Sequence, residues 1–276
     1  MNRTRTFFLM ALLTVLFVII GGFVGGGQGG LLAFLIAAAM NLFSYWFSDK
    51  LILKRYSAAQ AGPETRLYKI VAQLVQKAGL PMPKVFVIPE QNPNAFATGR
   101  NPQHAAVAAT EGILSILNDD ELTGVMAHEL SHVKNRDILT GTIAATFAGA
   151  IAMLGQFARY GTGNQNRRGN PLMTILILIG APLGAMLIRM AVSRVREYAA
   201  DEGAAALSGK PLALANALLK LQRGVQTLPL TNGNPAHSHM FIINPFSGGL
   251  QRLFSTHPAT EERVKRLQLF SENKIH

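Results

Sequence analysis

His128 and His132 stand four residues apart, with Glu129 directly after the first, in the run Ala127-His128-Glu129-Leu130-Ser131-His132. On an α-helix that spacing projects both imidazoles from one face, one turn apart, near enough to share a metal ion. Neutral imidazole suits zinc, and a carboxylate beside the first ligand reaches a water at the metal without binding the metal itself. The chemistry this pattern suits is hydrolysis. A five-residue pattern also occurs on ordinary amphipathic helices, so the surrounding elements have to decide.

Asn118-Asp119-Asp120-Glu121 has the form of a capping box, with Asn118 as N-cap and Glu121 three residues on. It predicts a helix that starts just before the motif and runs to about Arg136. Leu122, Val125, Met126, Leu130 and Val133 then form an apolar stripe at helical spacing, with His128 and His132 along its edge.

A hydrolytic zinc site takes a third protein ligand and keeps a fourth position for water. The chain has no cysteine, so that ligand must be His, Asp or Glu. The segment 193–201 has helical character and carries Glu197 and Asp201 four apart on one face. Glu197 is the candidate ligand, and Asp201, one turn on, is suited to accept an N–H from a ligating imidazole. The same spacing also fits a surface helix whose carboxylates pair with Arg194 and Arg196. A third histidine of the metzincin kind is excluded, because Asn135 and Ile138 occupy the Gly and His positions of that motif. His237 and His239 lie in a Pro/Gly/Asn-rich stretch and are able to touch a metal there, although a flexible His-x-His is more often no site at all.

Of the 276 residues, 49% are hydrophobic and 15% charged, and the mean hydropathy is +0.23. That balance is too apolar for an ordinary soluble domain of this length and points to a membrane protein. The net charge of +11 comes without zinc-finger spacing, a helix-turn-helix signature or a basic-aromatic platform, so no nucleic-acid partner is expected. Basic residues flanking apolar runs are explained by contact with an anionic inner leaflet.

Two apolar runs, 7–24 and 31–47, are separated by the uncharged, Gly-rich 25–30 and predict a transmembrane hairpin. Arg3 and Arg5 precede it and Lys50, Lys54 and Arg55 follow it, which puts both ends in the cytoplasm. Two further apolar runs, 138–157 and 172–187, predict a second membrane hairpin that returns the chain to the side it left. Between the hairpins, 65–77 has an amphipathic helical pattern that ends at Gly79. Residues 84–88 form a short strand with 105–109 as its partner, either as a plain structural hairpin or as a small sheet whose edge an extended peptide could join. Asn94, Ala95 and Phe96 lie between the two and are the candidate substrate-binding residues. After the second hairpin, 204–223 has a helical pattern, and a last amphipathic helix opens with Pro258 at its first position. The expected fold is mainly α and integral to the membrane: a zincin-like peptidase domain with a small β-sheet, and four apolar membrane helices in two hairpins. Its parts are residues 1–56, 57–137, 138–190 and 191–276.

With these segments in view, the chain resembles the HtpX family of bacterial membrane metallopeptidases, relatives of the eukaryotic CAAX prenyl proteases. The resemblance covers nearly the whole chain and rests on Asn94-Ala95-Phe96-Ala97-Thr98-Gly99, His128-Glu129-Leu130-Ser131-His132, Arg196-Glu197-Tyr198-Ala199-Ala200-Asp201 and Phe254-Ser255-Thr256-His257-Pro258 in that order. It implies one Zn2+ per chain on His128, His132 and Glu197, with Glu129 as the catalytic carboxylate. It also implies an inner-membrane endopeptidase, active site to the cytoplasm, that cuts misfolded or damaged membrane proteins and unfolded polypeptides under stress. A CAAX-type prenyl protease would use the same ligands, and a non-catalytic membrane scaffold would be expected to lack Glu129. Arg263 and His257 are the side chains considered for helping zinc with the developing oxyanion.

Overall fold

The computed structural model describes residues 2–139, 194–227, 242 and 258–272. Helix α1 (Asn2–Arg55) is broken at Gly25 and Gly26, whose backbones leave the helical region, with φ +60° at Gly26. The chain turns back there, and Asn41 donates from Nδ2 to Thr14 Oγ1 across the two arms at 2.9 Å. The turn is tighter than the Gly-rich 25–30 stretch predicts, because the later glycines serve packing instead. A Cβ on Gly21 would collide with Ala33 Cβ and the Gly29 carbonyl, so helix backbones meet where no side chain intervenes.

The hairpin is apolar outside and polar or small inside. Phe7, Leu31, Leu32 and Leu42 are exposed, whereas Ala37, Asn41 and Ser44 are buried between the arms. Such an arrangement suits a lipid solvent, where apolar side chains face outward and small residues let the arms approach. Among the described residues, one segment, Gly25–Phe47, is long and apolar enough to cross a membrane. The four spans expected from sequence are therefore matched at that one segment only, and the second hairpin lies outside the described residues apart from its first two positions.

The soluble core begins with β1 (Ala59–Gln60) and α2 (Arg66–Ala78). Gly79 ends α2 in the left-handed conformation, as its sequence predicts, and Thr65 is its N-cap. Strands β2 (Lys84–Ile88), β3 (Ala95–Gly99) and β4 (Ala105–Thr110) follow, and the sheet order is β1-β2-β4-β3. Strands 84–88 and 105–110 do pair, but in parallel and not as a hairpin, because the intervening segment itself becomes an antiparallel edge strand on β4. β4 is buried on both faces. Ala105, Val107 and Ala109 point into the helical core, and Ala106 and Ala108 pack with Phe96, Ile88, Ile52 and Leu53 beneath the end of α1.

A short helix α3 (Glu111–Ile116) leads to α4 (Asp119–Asn135), the metal-motif helix. After the undescribed 140–193 come α5 (Arg194–Ser208), α6 (Pro211–Thr227) and α7 (Thr260–Glu272). The helix expected over 204–223 is two helices, broken at Gly209 with φ +71° and restarted at Pro211. Pro258 stands two residues before α7 and not at its first position. One hydrophobic core unites Leu67, Leu74, Val107, Leu130, Leu218 and Val264, so segments before and after the second apolar pair form a single packed unit.

Candidate metal centre

Helix α4 starts as its sequence predicts: Glu121 N–H donates to Asn118 Oδ1 and Asn118 N–H donates to Glu121 Oε2, both at 2.9 Å. It is more deeply enclosed than an amphipathic stripe implies. α5, α6, α2 and β3 pack around it, so His128, Glu129 and Ser131 are buried along with Leu122, Val125, Met126 and Leu130. Close approach to α5 is possible because small residues line that contact. Ala200 and Ala204 are buried, and a Cβ on Gly203 would stand 2.7 Å from Ser131 Oγ.

This packing turns α5 so that Glu197 and Asp201 face α4, each less than a tenth exposed. The surface-helix alternative does not describe them. His128 Nε2 and His132 Nε2 lie 3.2 Å apart, and Glu197 places Oε2 3.7 Å from the first and Oε1 3.5 Å from the second. Donor atoms held roughly 2.0–2.2 Å from a tetrahedral ion stand roughly 3.3–3.6 Å from each other, so the three groups have the separation of a metal's ligands. His128, His132 and Glu197 form the group able to hold a metal among the described residues.

The outer nitrogens decide the tautomers. His128 Nδ1 is 2.9 Å from Asp201 Oδ1, and His132 Nδ1 is 3.2 Å from Asp137 Oδ2. A carboxylate opposite Nδ1 calls for the proton there, which leaves both Nε2 lone pairs aimed at one point together with a third acceptor from Glu197. With the protons on Nδ1, these three groups form a donor set able to hold a cation. Asp137 was not singled out from sequence. It follows Arg136, which ends α4 in the left-handed conformation at φ +60° and folds the next residue back, with Asp137 N–H on the His132 carbonyl at 3.0 Å. Local signals for a left-handed arginine are weak, which is why the sequence does not announce it.

Charges within the site follow from burial and neighbours. Burial pushes Glu129 up to about 7, opposed by the charge of His132 and reinforced by Glu197, while the Ala97 N–H hydrogen-bonds its carboxylate. Burial also lowers His128 and outweighs its Asp201 partner. His132 goes the other way, to about 9: burial lowers it, but the Asp137 hydrogen bond and the nearby Glu197, Glu129 and Asp137 charges together prevail. Asp201 falls to about 2, because Arg263 more than offsets its burial. Arg263 donates from Nε and Nη2 to both Asp201 oxygens and from Nη1 to the Ile242 carbonyl. Nη2 also lies 3.5 Å from His128 Nδ1 and Nη1 lies 4.0 Å from Glu197 Oε2, so the guanidinium borders the ligand group itself.

Asn94, Ala95 and Phe96 are next to the site, but their side chains are inside. Phe96 is 4% exposed and packs with Tyr56, Ala95 is fully buried, and Asn94 Oδ1 accepts from Ile242 N–H at 3.4 Å. What β3 offers outward is backbone. Thr110 N–H donates to Asn94 O, so by antiparallel alternation residues 95, 97 and 99 direct their amides away from β4, and Ala97 directs its N–H to Glu129. His237, His239 and His257 lie outside the described residues.

The family model for peptidase family M48 matches residues 61–270, which hold strands β2 to β4, α4 and α5. This chain belongs to peptidase family M48. It is 54% identical over 277 residues to a protease HtpX homolog of Campylobacter curvus, covering 97% of each chain. A protease HtpX homolog of Methylibium petroleiphilum is also 54% identical, over 281 residues and 99% of each. The crystal structure of S. mikatae Ste24p superposes with a TM-score of 0.54 at 19% identity, so the likeness is one of fold. That match covers 96% of this chain and spans 64% of the Ste24p chain's length. As an M48 peptidase with an apolar helix at Gly25–Phe47, the protein is a membrane metalloprotease.

Proposed function

We propose that this M48 peptidase is a zinc-dependent endopeptidase of a bacterial inner membrane, with one zinc ion on His128, His132 and Glu197 and with Glu129 as general base. The observation that carries the proposal is the convergence of His128 Nε2, His132 Nε2 and the Glu197 carboxylate at 3.2–3.7 Å beside the buried Glu129. Two imidazoles and one carboxylate, with no thiolate in the chain, are a donor set that zinc takes in hydrolytic sites. Zinc held there supplies a Lewis acid and lowers the pKa of water at the site from about 15.7 to roughly 7.

The chain's own residues supply the rest. Glu129, buried beside the three ligands, is placed to take a proton from the attacking water and to return it to the leaving amine. The Ala97 N–H holds that carboxylate in place. Asp201 and Asp137 keep the imidazoles protonated on Nδ1 and turned inward, so both act as positioning residues. β3 is the edge of the sheet, and an extended polypeptide pairing with it would run past Glu129. This suits unfolded segments of protein, including those emerging from a bilayer.

The arrangement in the membrane is part of the proposal. The parts are an N-terminal hairpin (1–56), a first peptidase segment (57–137), a second membrane hairpin (138–190) and a second peptidase segment (191–276). Basic residues at 3, 5, 50, 54 and 55 and none in the hairpin turn favour a cytoplasmic active site. Removal of misfolded or damaged membrane proteins under stress follows from the family resemblance.

The test is metal content and casein cleavage by the purified full-length protein. Glu129→Gln should retain zinc and lose at least about 10²-fold in rate. Cleavage at the wild-type rate by that variant would overturn the mechanism. Reporter fusions at Gln28 and Gln103 should give periplasmic and cytoplasmic signals, respectively, and a periplasmic signal at Gln103 would reverse the orientation.

A further inference from the structure

Where the N-terminal hairpin meets the soluble core, the structure has a cavity of about 740 Å3 that the peptidase mechanism does not use. One part of its wall is apolar and comes from Phe7, Met10 and Leu42 of the hairpin, of which Phe7 and Leu42 are among its outward-facing side chains. Another part is cationic and comes from the core: Arg100, in the turn after β3, and Arg136, the left-handed cap of α4. All fifteen Asp and Glu side chains of the protein lie among the described residues, and none of them pairs with Arg100 or Arg136. Two guanidinium groups without a carboxylate, beside an apolar wall continuous with a membrane helix, call for an anion that carries hydrocarbon.

The position supports that ligand. Trp46 and Tyr45 also line the cavity, at the end of the apolar segment Gly25–Phe47, where aromatic side chains mark the level of lipid headgroups. The Arg100 guanidinium lies over the Trp46 ring, 4.4 Å from its centroid. Stacking uses the face of the guanidinium and leaves its N–H edge for a phosphate. Asn41 is in the same wall, 8% exposed, with no hydrogen-bond partner on Oδ1. An acceptor in that state suits a headgroup that brings hydroxyl donors.

We propose that this cavity binds one anionic phospholipid of the phosphatidylglycerol class, with its phosphate on Arg100 and Arg136 and its acyl chain along Phe7, Met10 and Leu42. The inference rests on the N-terminal hairpin lying in a bilayer. Its site is continuous with the metal helix, since Arg136 immediately precedes Asp137, whose carboxylate faces His132. The ligand is a lipid and not a soluble phosphate, because more than half of the named wall would find no partner on an inorganic ion.

Trp46 is the chain's only tryptophan, which makes the cavity optically addressable. Full-length protein reconstituted with brominated phosphatidylglycerol or brominated phosphatidylcholine will show quenching of Trp46 by whichever lipid occupies the cavity. The expected relative binding constant for phosphatidylglycerol over phosphatidylcholine is roughly 5- to 30-fold, from two cations at the headgroup level. The double variant Arg100→Gln, Arg136→Asn should bring it to about 1; asparagine tolerates the left-handed conformation of residue 136. Lys50→Gln, which removes a cation that stacks on Phe47, should leave it unchanged. Equal quenching by both lipids in the wild type would overturn the site while leaving the membrane hairpin intact. Loss of preference in Lys50→Gln as large as in the double variant would also overturn it, since bulk surface charge would then account for the effect. Absence of quenching by either lipid would overturn both the site and the bilayer placement of the hairpin.

Discussion

Arg263 grips Asp201 by both carboxylate oxygens, at 2.7 and 2.8 Å, from 62 positions further along the chain and with only 1% of its surface exposed. Asp201 in turn faces His128, and the Arg263 guanidinium itself lies 4.0 Å from Glu197 Oε2, so the last helix of the core borders the candidate metal centre. Removing one partner of such a pair leaves a buried charge uncompensated, which costs about 3–5 kcal/mol. Arg263→Ala is therefore expected to lower the thermal unfolding midpoint of the detergent-solubilised protein sharply. Arg263→Lys keeps the charge but loses the two-point grip and should fall between. A midpoint unchanged in Arg263→Ala would show that the pair contributes nothing to the folded state.

The ligands and their supports should separate by metal content. Glu197→Ala removes one of the three proposed donors and is expected to purify with little zinc and to stay inactive with excess zinc. Asp201→Asn and Asp137→Asn leave all three donors and should weaken zinc about 10- to 100-fold, with activity partly recovered on addition of metal. Inductively coupled plasma mass spectrometry with a zinc titration distinguishes these outcomes. Full occupancy in Glu197→Ala would mean that the third ligand lies elsewhere.

Acid stability carries the signature of Asp201. Its folded-state pKa is depressed to about 2 from an ordinary value of 3.8, so it stabilises the fold above that ordinary value. That contribution is lost as pH falls from about 4 towards 2, where protonation of the folded protein catches up. Stability of the wild type measured across this window should decline more steeply than that of Asp201→Asn, by the equivalent of one proton. Parallel curves would remove Asp201 from the acid response.

Gly203 tests how the packing of α4 against α5 sets the metal site without touching a ligand. A Cβ there would stand 2.7 Å from Ser131 Oγ and 3.2 Å from Ser131 Cβ, next to His132 in sequence. Gly203→Val forces the helices apart, which overpacks the contact at a cost of about 1–3 kcal/mol and moves Glu197 away from the histidines. Zinc affinity should drop while the protein still folds, and Gly203→Ala should lie between. Unchanged zinc binding in Gly203→Val would show that α5 can shift without carrying Glu197 with it.

The sequence by itself determined whatever depends on local spacing. The capping box at Asn118 and Glu121, the i, i+4 histidines with Glu129, the Thr65 and Gly79 boundaries of α2 and the apolar hairpin arms are all statements about neighbours within a turn or two, and the backbone obeys them. The carboxylate pair Glu197 and Asp201 was visible as a shared helical face, with their division of labour open. Only tertiary structure decided what depends on distant chain. The edge strand β3 exists because 95–99 finds β4 as a partner, although its own residues lie in what looks like a loop. Long-range parallel pairing of β2 and β4 likewise has no local signature. Asp137 enters the site because the cap at Arg136 takes a left-handed turn, and Arg263 reaches Asp201 because α7 packs against α5 and α6. The helix break at Gly209 yields two elements from one apolar pattern, since hydrophobic periodicity continues across a kink that packing exploits. Spacing names the groups that are able to act together, and packing selects which of them are buried, charged and within reach of one another.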